Sequence, residues 1–303
     1  MTKAVLALFG PTASGKSAVA EALTERVPAE IVSADSMQVY RGLPILTAQP
    51  EKPTRLVAVW ELDHEASLGE YQRLAHEAID EIVAAGKTPI VVGGTGLYFR
   101  AALADLDLPP APEPGARERW ESVYDDEGGD RAHELLSERD PETAASVHPN
   151  DRRRVVRALE LAEAGASLRS GPNRLWTEET RHPTLVFGLD VPSEELDRRI
   201  EERAREMFAR GARAEVERAT QGDISDTARY ALGLTELAEE SDDEVALEAL
   251  VRRTSRYASY QRKWMRRIPG LVSLTADRPP GEVADELLQV ARARQRLPAG
   301  RAG

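Results

Sequence analysis

The 303-residue chain contains no cysteine, which excludes disulfides, thiolate metal sites and a cysteine nucleophile, and fits an expected cytoplasmic location. It also lacks long apolar runs. The N-terminal one covers residues 4–9 and ends in a glycine-rich loop, too short for a signal peptide and far from the roughly 20 residues that span a bilayer. No membrane association is expected. Net positive charge is missing as well: 40 Lys and Arg face 52 Asp and Glu, for a formal net charge of −12. A protein whose main task is to coat nucleic acid is usually basic overall, so any such contact must come from local basic patches. The five histidines are scattered, none at metal-ligand spacing, and no G-x-S-x-G elbow is visible, so neither a zinc site nor a serine triad is expected. What remains, 41% hydrophobic and 30% charged, suits a globular protein with a core.

"FGPTASGKS", residues 9–17, carries the first positive signal. Gly10, Gly15, Lys16 and Ser17 satisfy G-x-x-x-x-G-K-[ST], the nucleotide-binding type of phosphate loop. It lies between an apolar run at 4–9, read as a buried strand, and a helical start at 18–23. In such a loop the amides and the following helix N-terminus bind anionic oxygens. Lys16 adds a point charge, and the Ser17 hydroxyl can ligate Mg²⁺. The motif defines a phosphate site and leaves the phosphate chemistry open.

Further strands are expected at 30–35, 55–60 (weaker), 88–92 and 184–189, with helices at about 69–85, 193–220 and 243–268. Continuous apolar strands between helices point to an α/β fold with a parallel sheet covered on both faces. Ligands then sit at the carboxyl ends of strands. Residues 10–17, Asp35 and 93–96 all fall there. The composition shifts at "DLDLPPAPEPGARERW", residues 105–120, and stays polar and helical to about 182. A helical insertion domain at 105–183 is therefore expected inside a discontinuous core, 1–104 with 184–290. The tail, 291–303, is expected to be disordered.

Asp35, in "SADSMQVYRG", can act as a general base, a metal-shell ligand or a helix N-cap. Ser33, Ser36 and Gln38 beside it form a polar cluster that can contact a base or a sugar. In "VVGGTGLYFRA" two glycines allow close backbone approach to a ligand, and the Thr95 hydroxyl can donate to a substrate. Tyr98 and Phe99 read as core. Two basic clusters stand on the acidic background: Arg152, Arg153, Arg154 and Arg157, and residues 252–268, with seven cations and no acid. The second lies on a helix whose apolar stripe is Val251, Thr254, Ala258, Met265 and Ile268, with Tyr257, Tyr260 and Trp264 interleaved. Both clusters fit either a solvated, salt-bridged face or RNA phosphates and bases.

Taken together, "GPTASGKS", "ADSMQVYRG", "VVGGTGLYFRA", "DPETAASVHPNDRRRVVRALEL" and "TSRYASYQRKWMRR" resemble the tRNA dimethylallyltransferases (tRNA isopentenyltransferases) in content and order, over roughly residues 4–270. The resemblance implies a kinase-like α/β core with a helical insertion. It implies a prenyltransferase that moves the dimethylallyl group of dimethylallyl diphosphate to the exocyclic amine of the adenosine just 3′ of the anticodon. It implies Lys16, Asp35 and Thr95 as catalytic residues, with Mg²⁺ as cofactor. The diphosphate would be held by Gly10, Thr12, Ala13, Ser14, Gly15, Lys16, Ser17 and Arg203. The tRNA anticodon stem-loop would be met by Asp35, Ser36, Met37, Gln38, Thr95, Arg117, Arg153, Arg154 and Arg157. A monomer is expected. The chain departs from the family pattern at Gln49, where Lys is usual, at Trp60 and His64 in place of a His pair, and in the spacing of Tyr230 and Gly233. The rival readings are a small-molecule kinase with the same loop and an isopentenyltransferase acting on free adenine nucleotides.

Overall fold

The computed structural model describes residues 4–108, 113, 115–168 and 174–296. Along the chain run β1 (Val5–Phe9), α1 (Lys16–Thr24), β2 (Ala29–Ala34), β3 (Thr54–Arg55), α2 (Leu68–Ala84), β4 (Thr88–Gly93) and α3 (Gly96–Leu103). Then come α4 (Ala116–Glu127), α5 (Gly129–Arg139), α6 (Pro141–Ala144) and α7 (Arg152–Glu163). The chain continues with β5 (Thr184–Asp190), α8 (Ser193–Ala209), α9 (Ala212–Ala219), α10 (Leu234–Glu239), α11 (Asp243–Met265), β6 (Val272–Thr275) and α12 (Pro280–Arg296). The backbone divides into two compact units, Met1–Asp105 with Leu175–Gly303, and Leu106–Arg174.

The first unit is α/β. Its six strands form one parallel sheet in the order β3-β2-β4-β1-β5-β6. β1 is buried at every position, because a parallel strand is covered on both faces. Its side chains alternate. Leu6 and Leu8 join Val19 and Leu23 of α1 and Val283 and Leu287 of α12 in one core. Phe9 meets Phe99 of α3 edge-on, with ring centroids 5.2 Å apart. Phe99 is thus core, as read, while Tyr98 stands against Tyr71, ring centroids 4.4 Å apart. α2 starts where the Ser67 side chain accepts from the Glu70 amide, and it buries Tyr71, Ala75, Ile79 and Ile82 on one side.

Several elements depart from the sequence reading. The third strand is only Thr54–Arg55; Leu56 and Ala58 take left-handed φ of 63° and 52°, so the chain leaves the sheet before Trp60. The helix expected at 193–220 is two helices, separated at Gly211 with φ 93°. The edge strand β6 and the helix α12 were not foreseen. α12 runs to Arg296, past residue 290, because Val283, Leu287, Leu288 and Ala291 form a buried stripe. Residues 297–303 of the expected tail, and all four prolines of the 105–120 stretch, lie outside the described residues.

The second unit is helical. Ala132, Leu136, Val147, Val155, Ala158 and Leu159 make its core. It ends at Arg174 instead of 183: Trp176 stacks on Trp264 at 4.8 Å between centroids, and His182 meets Asp80 at 2.7 Å, so both belong to the first unit. In its interior Glu160 of α7, 1% exposed, accepts from Arg117 Nε at 3.1 Å and from Arg157 Nη1 at 2.8 Å. A buried carboxylate stripped of such partners, or partners stripped of it, is strongly destabilising. Both arginines keep some solvent, which weakens the pair. Glu160→Ala is expected to cost about 2–3 kcal/mol, read as an earlier urea transition by circular dichroism. No loss would mean the two arginines are held by other groups.

Candidate active site

The ends of β1, β4 and β2 are neighbours in the sheet, so residues 10–17, 93–96 and 35–38 open on one crevice. The phosphate loop depends on Gly15, at φ 86°, directly before α1; a side chain there would be strained. Ala13 shares this left-handed conformation at φ 63°. The Thr12 amide donates to Gln261 Oε1 at 2.7 Å and the Ser14 amide to the Pro11 carbonyl at 3.2 Å. The first-turn amides of α1, which have no intrahelical acceptor, face outward from the helix start and suit an anion.

Lys16 folds back on this loop, its Nζ donating to the Pro11 carbonyl at 2.6 Å. Burial lowers its ammonium from 10.5 to about 7; Asp35 opposes that shift and Arg203 adds to it. Arg203, on α8, places Nη1 3.3 Å from Thr12 Oγ1, and burial lowers it too, again against the pull of Asp35. The two cations and the carboxylate thus sit within one electrostatic neighbourhood. These are two partly desolvated cations with no acidic hydrogen-bond partner among the described residues, and such a pair suits an anion.

The opposite wall begins at Asp35. Its Oδ1 accepts from the Met37 amide at 2.9 Å and the Gln38 amide at 3.4 Å, so it closes a turn and does not cap a helix: no described helix begins between β2 and α2. The other oxygen makes no hydrogen bond among the described residues and is available for a ligand. Gln38 is fixed by Ser33 Oγ at 2.8 Å and by the carbonyls of Thr47 and Ala48 at 3.3 and 3.1 Å. Thr95 Oγ1 lies 3.4 Å from the Ser36 amide and 3.2 Å from the Tyr257 hydroxyl. Gln49, the departure from Lys, donates to the Tyr40 carbonyl at 2.7 Å. Trp60 stacks on His64 at 5.0 Å between centroids, and Tyr230 is 56% exposed.

Ser17, at the start of α1, is exposed. No group of three or more His, Asp or Glu able to hold a metal occurs among the described residues. A Mg²⁺ ion here would take one protein hydroxyl and otherwise phosphate oxygens and water, which matches how this ion usually accompanies diphosphates.

The residues of the helical unit fare differently. Arg153 and Arg154 are exposed, whereas Arg117 and Arg157 bond the buried Glu160. On α11, Arg252 and Arg253 pair with Glu248 and Glu236, and Arg262 meets Ser193 Oγ at 2.6 Å. Arg256, Lys263 and Arg266 are exposed, and Arg267 lies 3.9 Å over the Trp176 ring. The cluster is thus partly a salt-bridged face.

Gln261 and Glu215 were missed by sequence reasoning, and Tyr257 was read as an aromatic of the basic helix face with no place in the crevice. Gln261 and Tyr257 of α11 reach the crevice, and Glu215 of α9, 2% exposed, accepts the amides of Ile45 and Leu46 at 2.9 and 2.8 Å and so anchors the loop after Asp35. The one available signal was the glutamine on an otherwise cationic helix, four residues after a tyrosine.

A parallel sheet with a phosphate loop after β1 and a carboxylate after β2 is the arrangement of a P-loop α/β protein, whose ligand crevice lies at the carboxyl ends of its strands. A family model described as "IPP transferase" matches residues 38–268, and one described as "Isopentenyl transferase" matches residues 3–55. A tRNA dimethylallyltransferase of Thermobifida fusca is 41% identical over 294 residues, 91% of each chain. One of Salinispora tropica is 38% identical over 301 residues, 95% of this chain and 92% of its own. The solved tRNA isopentenylpyrophosphate transferase of Bacillus halodurans superposes with a TM-score of 0.68 at 28% identity over 97% of both chains. A eukaryotic dimethylallyltransferase acting on tRNA gives 0.79 at 25% identity, over 99% of this chain and 82% of that one. The chain belongs to the IPP transferase family, the family of the tRNA dimethylallyltransferases.

Proposed function

We propose that this chain transfers the dimethylallyl group of dimethylallyl diphosphate to N6 of the adenosine just 3′ of the anticodon of tRNA. The observation that carries this reading is the shared neighbourhood of Lys16, Arg203 and Asp35: a cation pair for diphosphate facing a carboxylate for an amine. The N6 lone pair forms a bond to the first prenyl carbon while the C–O bond to diphosphate breaks, and its electron pair leaves with the diphosphate. The proton of N6 passes to Asp35. Adenine's amine is a weak nucleophile, so positioning and proton removal both matter. Lys16, Arg203, Thr12 and the loop amides of Ala13, Gly15 and Lys16 stabilise charge that grows on the leaving group, so they act more on the transition state than on the substrate. Mg²⁺, held by Ser17, supplies further charge neutralisation when bound.

On this reading the base is drawn out of the anticodon loop, where unstacking is cheap. Thr95, Ser36, Met37 and Gln38 line its path to Asp35. The α/β unit is catalytic, and the helical unit offers the exposed Arg153 and Arg154 to tRNA phosphates, with Arg117 and Arg157 held on Glu160 behind them. The enzyme works as a cytoplasmic monomer. No described helix is long and apolar enough to cross a membrane.

Incubation with dimethylallyl diphosphate labelled in the prenyl group, and with either unmodified tRNA or AMP, tests this. Label is expected in tRNA alone. Label in AMP alone, or transfer of a γ-phosphate from ATP to a small hydroxyl acceptor, would overturn the assignment.

A further inference from the structure

Helix α11 touches two of the three segments that frame the crevice, the phosphate loop and the turn at 94–96, with one face. Tyr257, Gln261 and Trp264, at i, i+4 and i+7, share that face. Gln261 is 2% exposed, unusual for an amide, and its Oε1 takes the Thr12 amide at 2.7 Å. Its Nε2 lies so close to Gly94 that a Cβ there would come within 2.2 Å. Trp264 packs on Gly96, where a Cβ would fall 2.1 Å from the indole. Tyr257 places its hydroxyl 3.2 Å from Thr95 Oγ1, between Thr95 and the Gln261 amide. Burial raises the phenol above its ordinary range, so it stays protonated and serves as a neutral hydrogen-bonding group. Both glycines of the β4–α3 turn are thereby explained by close approach of this helix, and the phosphate loop and Thr95 are held by neighbouring turns of it.

We propose that Gln261 and Tyr257 are positioning residues that set the separation between the diphosphate cradle and the acceptor side, Gln261 through Thr12 and Tyr257 through Thr95. This rests on the reaction proposed above. A displacement at carbon needs leaving group and nucleophile in line, and a misplacement near an ångström costs rate. A single helix face that grips both walls fixes that distance without either residue touching the reacting atoms.

The test uses Gln261→Met, which keeps the volume and removes both polar groups, and Tyr257→Phe, which removes one hydroxyl. Variants are compared at equal folded concentration, set by thermal melts. In Gln261→Met, diphosphate binding measured by calorimetry without tRNA is expected to weaken about tenfold, as loss of one buried hydrogen bond implies. The KM for dimethylallyl diphosphate rises in parallel. In Tyr257→Phe diphosphate binding stays unchanged while kcat on tRNA falls about three- to tenfold. The double variant loses less than the product of the two single losses, because both act through one helix face. Unchanged diphosphate affinity in the first variant, unchanged kcat in the second, or strictly multiplicative losses would overturn the proposal. A wild-type protein that fails to prenylate tRNA, but whose diphosphate binding still depends on Gln261, would sink the proposed reaction and leave the cradle anchor standing.

Discussion

Asp35→Asn is expected to lower kcat on tRNA by about 10²- to 10⁴-fold, the range for removal of a general base. Diphosphate affinity and tRNA affinity should change little. The substitution is conservative where it needs to be: an asparagine carbonyl can still accept from the Met37 amide at the position of Oδ1, so the turn after β2 persists. What disappears is the capacity to take a proton. The loss should therefore fall on kcat, with KM for both substrates preserved. Single-turnover prenyl transfer, followed with labelled dimethylallyl diphosphate, checks it. Turnover within tenfold of wild type would mean that the N6 proton leaves by another route.

Lys16→Met should lower kcat/KM by about 10²- to 10³-fold, since it removes a preorganised charge from a departing anion. The same substitution is expected to raise the melting temperature of the ligand-free protein by a few degrees. These opposite effects have one origin. Burial holds Lys16 at about 7 against 10.5 in an exposed chain. Between those values the unfolded chain carries a proton that the folded one has released, so this residue makes stability rise with pH across that window. Below pH 7 the cost of a desolvated ammonium is present in full. Diphosphate reverses the balance: its charge favours the ammonium, so binding takes up a proton, and affinity should fall as pH rises above 7. Calorimetry in two buffers of different ionisation enthalpy detects that uptake. Lys16→Met should abolish it, and a variant that keeps the wild-type pH slope would assign the proton to another group.

The phosphate loop, the strands flanking it and Asp35 were legible because each is a local signal. A strand buried on both faces reads as an apolar run, and a loop with fixed glycine spacing has few other uses. Other features depend on contacts the linear order hides. Val57 and Val59 look like strand residues, but Leu56 and Ala58 turn the chain away from the sheet. The stripe on α12 is diluted by the three arginines and one glutamine of "ARARQR", and β6 has only four residues. Arg117 and Arg157 read as cations facing RNA, yet both bond a carboxylate that burial conceals. Gln261 gave only a weak signal: on a helical pattern it belongs among the polar positions, and only the fold brings it to Thr12.

That last contact joins positions 249 apart in the chain. During synthesis the phosphate loop emerges early, but its anchor on α11 follows only when most of the protein has left the ribosome. A product terminated before α11 would carry the complete glycine-lysine motif with the Thr12 amide lacking its acceptor and Thr95 lacking Tyr257. The glycine-lysine motif is thus local in sequence, while the contacts that hold it in the crevice close only once α11 is in place.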